Sequence, residues 1–153
     1  MSDWSDLIDN VCEDLMDNVP ALAVEAANVH RYASWSPEEL LSDGKRHMAV
    51  WPLGEAERAT PLTLGAHELD QLYRVLVWED AADESSRGVT DQDATAALLD
   101  LHNDIRDRFY VQANQGRAGA FRVWYRGARF PDRASRVRWF EVEVSVATGS
   151  AFT

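Results

Sequence analysis

The side chains that most often do chemistry are few in this sequence and widely spaced. The four histidines stand at positions 30, 47, 67 and 102, and none forms the His-x-x-x-His doublet of a metal site. His102 has Asp100 and Asp104 close by on a predicted helix, as a general base would. We favour the interpretation that His102 is a partly exposed helical histidine without a catalytic role. No metal and no cofactor are predicted.

Motifs for nucleophilic catalysis and for nucleotide binding are also missing from the sequence. Cys12, the single cysteine, falls on the apolar side of a predicted helix, which indicates a buried and inert thiol. There is no phosphate-binding glycine loop, no Gly-x-Ser-x-Gly elbow and no pair of cysteines. The many carboxylates spread over helix faces, a pattern typical of solvated surface. We therefore predict that the chain is not an enzyme.

Charge is distributed unevenly along the 153 residues. The net charge of −11 divides into −9 through Asp43, −6 from Gly44 to Asp100, and +4 from Leu101 onward. Lys45 is the single lysine, so nearly all positive charge is guanidinium, which pairs bidentately with carboxylates and stacks on aromatic rings. This polarity favours electrostatic contacts between copies or with a partner.

The arginine-rich stretch from Arg126 to Arg136, predicted as a loop, is the candidate interface. Trp124 and Trp139 share strand faces with charged residues, and aromatic anchors beside arginines are common in interfaces. A sequence pI near 4.7 argues against binding of free nucleic acid, so acids of a neighbouring copy are the predicted contact. The predicted interface residues are Arg126, Arg129, Arg133, Arg136, Arg138, Trp124, Trp139, Asp80, Asp83 and Glu84.

Apolar residues at steps of three and four predict two long amphipathic helices. The first begins after Ser2 and ends before Pro20, with a buried stripe of Trp4, Leu7, Ile8, Val11, Cys12, Leu15, Met16 and Val19. The second begins after Thr90 as its cap, with a stripe of Ala94, Leu98, Leu101, Ile105 and Phe109, and a turn-rich break follows over 112–119. A capping box at Ser36–Glu39 predicts a third, short helix that Gly44 terminates.

Alternating or dense apolar residues predict five strands, at 29–32, 47–51, 68–79, 121–126 and 139–146. Pro52 is expected to end the second strand, and an exposed acidic loop is expected over 80–88. The order of elements predicts one α+β domain over residues 1–153, a mainly antiparallel or mixed sheet with two principal helices on one side. No stretch approaches the roughly 18 apolar residues of a membrane span, and no signal sequence is expected.

The turn at 32–40, Tyr-Ala-Ser-Trp-Ser-Pro-Glu-Glu-Leu, leads into Arg-His-Met-Ala-Val-Trp-Pro at 46–52. With the strand at 72–78, the helix from Asp91 and the closing strand pair, this layout resembles tail terminator proteins of long-tailed, siphovirus-type actinobacteriophages, the lambda minor tail protein U group. The resemblance implies a hexameric ring in the virion neck, assembled in the host cytoplasm. Such a ring caps the tail tube, stops its elongation and offers a surface for head joining. It implies no catalytic residue.

The implied partners are further copies of the chain, the tail tube protein and a head-closure or connector protein. Genomic DNA would pass the lumen without specific binding. Another neck component or a tail tube subunit is the alternative within the same class. Outside that class, the sequence leaves open a small acidic adaptor or inhibitor and a small hydrolase that uses His102.

Overall fold

The computed structural model describes residues 4–32, 35–36, 39–41, 43–57, 66–80, 91–115, 120–131 and 137–151. Two helices and five strands make up this part of the chain, as an α+β fold. The helices are α1 (Trp4–Asn18) and α2 (Asp91–Gln115), and the strands are β1 (Val29–Arg31), β2 (Arg46–Glu57), β3 (Ala66–Asp80), β4 (Ala120–Arg129) and β5 (Val137–Ala151). Short 3-10 turns at Pro20–Leu22 and Ala26–Asn28 connect α1 to β1.

The five strands form one mixed sheet in the order β1-β2-β3-β5-β4. β1 runs parallel to β2, and the other neighbours are antiparallel. The centre of the sheet is the long β3–β5 pair, which is in register from Ala66 opposite Ala151 to Asp80 opposite Val137. β5 therefore lies between β3 and β4, and β4 takes an edge of the sheet.

Both helices pack on the same face of the sheet, as the sequence predicts. The predicted stripe of α2 is buried throughout, and that of α1 is buried except for the partly exposed Trp4 and Met16. Their side chains meet alternate residues of the four longer strands, which bury one face of the sheet. The strand residues of this core are Met48, Val50, Tyr73, Val75, Val77, Val123, Phe140, Val142, Val144 and Val146.

A smaller aromatic cluster covers part of the second face of the sheet, opposite the helices. Trp78, Trp139, Leu76 and Ala49 are buried there, and Trp35 packs against them together with Leu40 and Val137. The backbone N–H of Ser36 lies 3.5 Å from the Glu39 carboxylate, which is one half of the predicted capping box. The short helix itself includes residues outside the described part of the chain.

The prediction that Pro52 ends β2 is wrong, since the strand continues to Glu57. The carbonyl of Val50 accepts a hydrogen bond from the Tyr32 N–H and so points toward β1. Because backbone groups alternate in direction along a strand, the missing N–H of Pro52 also falls on the β1 side, where β1 has already ended. A register shift between Pro52 and Gly54 follows directly.

Three predicted loop boundaries are also corrected. The break predicted from residue 112 begins no earlier than 116, since α2 runs to Gln115. Arg129, predicted in the basic loop, belongs to β4, which continues past its predicted end at Arg126. Asp80, predicted in an exposed loop, is the buried last residue of β3. Strand pairing with β5 explains both strand extensions, because each added residue gains a partner on β5.

Candidate functional site

The order of strands places the most acidic element and the most basic strand at opposite edges of the sheet. α1 carries five carboxylates and no basic residue, and it packs on β1 and β2. β4 carries three arginines and no acid, and it forms the far edge. Four strand spacings of about 4.8 Å separate β1 from β4, roughly 19 Å across the sheet. The difference in charge between the two ends of the sequence is therefore also a difference in charge between the two edges of the sheet.

We call α1, β1 and the adjoining side of β2 the acidic edge. Some of its acids are neutralised inside the chain, because Asp9 pairs with Arg31 at 2.8 Å and Asp14 receives Arg108 of α2 at 2.6 Å. Glu13 and Asp17 are exposed on the same helix. These side chains leave the acidic edge with carboxylates facing the surroundings.

We call β4, with the exposed faces of Tyr110 and Phe130 beside it, the arginine edge. Arg126 is exposed. Arg129 lies 5.4 Å above the Trp139 ring, within cation–π range, and 3.4 Å from the Glu141 carboxylate. Gly127 between them has a φ of +149°, a conformation that favours glycine, and a register shift there bends the strand.

α2 covers the helix side of β4 and carries five acids against two arginines. The positive charge of the arginine edge therefore lies on β4 itself and on the second face of the sheet, away from the acids of α2. On that face Glu141 receives both Arg74 and Arg129 at 3.4 Å. A single carboxylate on β5 thus contacts guanidinium groups from both of the strands that flank it.

The remaining predicted interface residues differ in accessibility. Trp124 is half-buried on the second face of β4. Asp80, Arg138 and Trp139 are buried within the chain. Arg133, Arg136, Asp83 and Glu84 lie outside the described residues. Of the predicted interface, the described positions that a partner can reach directly are Arg126, Arg129 and part of Trp124.

A histidine network that the sequence analysis did not predict lies at one end of the second face. Nε2 of His30 on β1 is 3.0 Å from Nδ1 of His47 on β2, and Nε2 of His47 is 2.9 Å from the Asp43 carboxylate. The Trp78 ring stacks on both histidines, at 5.1 Å from His47 and 5.6 Å from His30, and Trp35 closes over His30 at 4.5 Å. His30 and His47 stand 17 residues apart, with no local spacing to indicate contact.

The hydrogen-bonding roles in this network follow from its chemistry. A carboxylate only accepts, so Nε2 of His47 carries the proton that it donates to Asp43. In the tautomer that carries its proton on Nε2, Nδ1 of His47 accepts from Nε2–H of His30. The two imidazole planes are inclined by only 22°, with ring centroids 5.2 Å apart, as for a hydrogen-bonded pair lying edge to edge. Among the described residues, this network included, no three His, Cys, Asp or Glu side chains are arranged so that they could hold a metal ion.

We expect the histidine network to make the fold less stable in acid, because two of its groups have lowered pKa values. Burial, and then the nearby His47, lower the pKa of His30 from 6.5, and the hydrogen bond from His47 lowers the pKa of Asp43 from 3.8. The unfolded chain therefore binds these protons first. The His30 contribution to stability is complete above pH 6.5 and is lost as pH falls through its folded pKa, and the Asp43 contribution follows at more acidic pH.

We expect His30→Gln, which keeps a donor for His47 but does not titrate, to flatten the loss of unfolding free energy between pH 8 and pH 5. Urea unfolding at several pH values measures this slope. The matched control is His67→Gln, eleven residues before Trp78 on β3 and so roughly 36 Å along the strand from the network. Equal slopes for the wild type and His30→Gln would contradict the assignment.

His102 is buried, not partly exposed as predicted. Its Nε2 lies 2.8 Å from the Tyr125 hydroxyl and its Nδ1 lies 3.1 Å from the Asn103 side-chain oxygen. Burial lowers the pKa of His102. Asp100 and Asp104, which suggested a general base, are both exposed on α2. His102 thus joins α2 to β4 among aromatic rings.

Among the described residues, neither helix combines the length and the apolar character needed to cross a membrane. Comparison of the chain with models of known protein families and with curated proteins found no match in either case.

Proposed function

We propose that this chain is a structural protein of a phage tail, a tail terminator whose copies form a ring on the end of the tail tube. The observation that carries the proposal is the separation of charge between the acidic edge and the arginine edge. The resemblance at 32–52 to siphovirus tail terminators supports the same function. In this function the ring stops elongation of the tube and offers a surface to the head.

Opposite charges on opposite edges favour a head-to-tail contact, in which the acidic edge of one copy meets the arginine edge of the next. A contact between two different surfaces repeats, and it closes into a ring when the rotation between neighbours closes. Like edges repel, so the charges also disfavour symmetric dimers in which two acidic edges or two arginine edges meet. Exposed ion pairs contribute mainly orientation and association rate, and 1 M salt should weaken the contact.

Features of the strand edges favour contact through side chains over extension of the sheet. Pro52 removes a backbone donor from the outer side of β2. Register shifts interrupt β4 between Ala120 and Arg122 and between Tyr125 and Gly127. Proline and bulges at edge strands are known devices against edge-to-edge pairing. Such edges are compatible with a closed ring. They do not suit an open assembly in which each copy adds a strand to the sheet of the next.

The first experiment is light scattering after size exclusion, with negative-stain images of each peak. We expect rings of six copies of the 17.2 kDa chain, either alone or on adding isolated tail tubes. A head-closure or connector protein would use the same edges, but its rings would bind the head portal and not the tube end. A chain that stays monomeric and binds neither structure would refute the proposal.

Reversal of one charge tests the proposed contact. We expect Arg126→Glu to weaken assembly at least tenfold, since the new carboxylate faces the acids of a neighbouring α1. The double variant Arg126→Glu with Glu13→Arg should regain assembly, because every copy then carries the swapped pair. Lys45→Glu, an exposed residue outside the arginine edge, is the control with the same change in net charge. Sedimentation velocity over a concentration series gives the association constants.

If Arg126→Glu assembles as the wild type does, Arg126 is not in the contact. If the double variant fails while Arg126→Glu alone also fails, Glu13 is not its partner, and Asp17→Arg on the same helix is the next test.

A further inference from the structure

Exposed aromatic and aliphatic side chains lie at both edges beside the charges. At the acidic edge, Tyr32 is 42% exposed and Leu53 is 41% exposed. Tyr32 directly follows the last residue of β1, and Leu53 lies on β2 beyond the residues that pair with β1. At the arginine edge, Tyr110 is 52% exposed and Phe130 is 40% exposed. Single exposed apolar residues are ordinary in monomers, but here they are paired at two opposite edges of complementary charge.

Tyr32 is held at the surface by backbone and side-chain contacts. Its φ of +63° lies in the left-handed region, which is unfavourable for a bulky residue. The N–H of Tyr32 bonds to Val50, and its hydroxyl lies 3.1 to 3.2 Å from oxygens of Ser5 and Asp9 on α1. These bonds fix a strained residue whose ring is not needed in the core. These bonds hold the Tyr32 ring at the surface, where a partner can reach it.

Tyr110 and Phe130 are likewise fixed before any partner arrives. The Tyr110 ring meets Tyr125 edge-on at 6.0 Å. The Phe130 ring lies 5.1 Å from His102, also edge-on, and 6.5 Å from the buried Phe140. Rings already held by neighbours lose little conformational entropy on binding, which is why rigid aromatic residues serve as interface anchors.

We propose that Tyr110 and Phe130 of one copy pack against Tyr32 and Leu53 of the next copy, as the apolar centre of the head-to-tail contact. The exposed acids of α1 and the arginines of β4 then form the rim. Specific interfaces have this anatomy, an apolar aromatic centre that excludes water and a charged margin. This inference rests on the proposed function and names the contact surface within it.

The occupant is a second copy because each apolar pair lies beside charges that are opposite to those beside the other pair. Tyr32 is bonded to an acidic helix, and Phe130 follows directly after Arg129. A tail tube or head protein bound at one edge alone would leave the second edge unexplained. The experiment distinguishes binding of such a protein at one edge from contact between two copies.

Two variants, each with one edge disabled, test the contact. The first is Tyr110→Ser with Phe130→Ser. The second is Tyr32→Asn with Leu53→Ser, where asparagine tolerates the positive φ. All four side chains are partly exposed, so both chains should fold, and thermal unfolding confirms this. Leu41→Ser, another exposed leucine, is the control and should assemble normally.

We expect each variant alone to remain a monomer under conditions in which the wild type forms rings, or joins the tail tube end as a ring. An equal mixture should give a species of two chains and nothing larger, because one intact acidic edge meets one intact arginine edge. Rings formed by either variant, or a mixture that stays monomeric, would overturn the contact while leaving the ring function in place. If a variant binds the tube end as a single copy, its disabled edge is needed for the contact between copies and not for binding to the tube. A wild type that never assembles contradicts both proposals.

Discussion

Phe109→Ala is expected to lower the free energy of unfolding by about 3–5 kcal/mol, the usual cost of truncating a buried aromatic residue. Phe109 is fully buried on the core stripe of α2. Its ring meets the buried Tyr73 of β3 edge-on at 6.4 Å, which ties the helix to the centre of the sheet. Removal of the ring leaves a cavity that α2 cannot close without displacing Leu101 and Ile105, which are buried on the same stripe. Urea unfolding followed by circular dichroism measures the loss.

Phe130→Ala is the matched control, since it deletes the same ring from a site that is partly open to water. We expect a loss of about 1 kcal/mol or less there, because much of the ring is already hydrated. Phe109→Leu should fall between the two, as leucine fills part of the cavity. Equal losses at positions 109 and 130 would mean that α2 is not anchored through Phe109.

The sequence allowed prediction of those features that depend on local periodicity. Leu7, Val11 and Leu15 repeat at helical steps, and Phe140, Val142 and Val144 alternate at strand steps. Apolar residues at these steps lie on one face of a helix or strand, and such a face is stable only when it is buried. The pattern therefore predicts which residues are buried. The side of the sheet that the helices cover follows from the same patterns.

The histidine network depends on strand order and register, which periodicity does not specify. His30 contacts His47 because β1 joins β2 in parallel, with His30 opposite Ala49. Neither the parallel pairing nor its register has a signal in the residues around position 30. Asp43 and His47 are four residues apart, but they meet across a bend before β2 and not along a helix.

A single irregularity decides where Arg129 points. In a regular strand Arg129 would share a face with Tyr125, four residues earlier, and would turn toward α2. The register shift between Tyr125 and Gly127 moves it to the second face, opposite Glu141. Gly127, a glycine inside a strand, was the available signal for that bulge.

The separation of the two charged edges has a topological origin. If the strands followed chain order across the sheet, β5 would be the edge and the arginines of β4 would lie one strand further in. Insertion of β5 between β3 and β4 moves β4 outward and places it farthest from α1. A charge gradient along the chain thus becomes a gradient across the sheet, on which the head-to-tail proposal depends.

Arg46→Met is expected to cost about 2–3 kcal/mol, because the Arg46 guanidinium joins three elements. It donates to the Glu79 carboxylate at 2.9 and 3.1 Å and to the carbonyls of Ala21 and Leu22 at 2.7 and 2.8 Å. Methionine fills similar space but leaves those partly buried acceptors without this donor. Arg138 lies opposite Glu79 on β5, which limits the cost below that of a fully isolated buried charge.

Arg46→Lys separates charge from geometry, since one ammonium cannot reproduce a fork that reaches both the carboxylate and the turn after α1. We expect it to recover less than half of the loss. Arg106→Met is the control, because Arg106 is more exposed and its ion pair at 3.3 Å is with the adjacent Asp107, so the expected change is within about 0.5 kcal/mol. Hydrogen exchange should also show earlier opening of Pro20–Leu22 in Arg46→Met. Unchanged protection of that turn would mean that Arg46 does not hold α1 to the sheet.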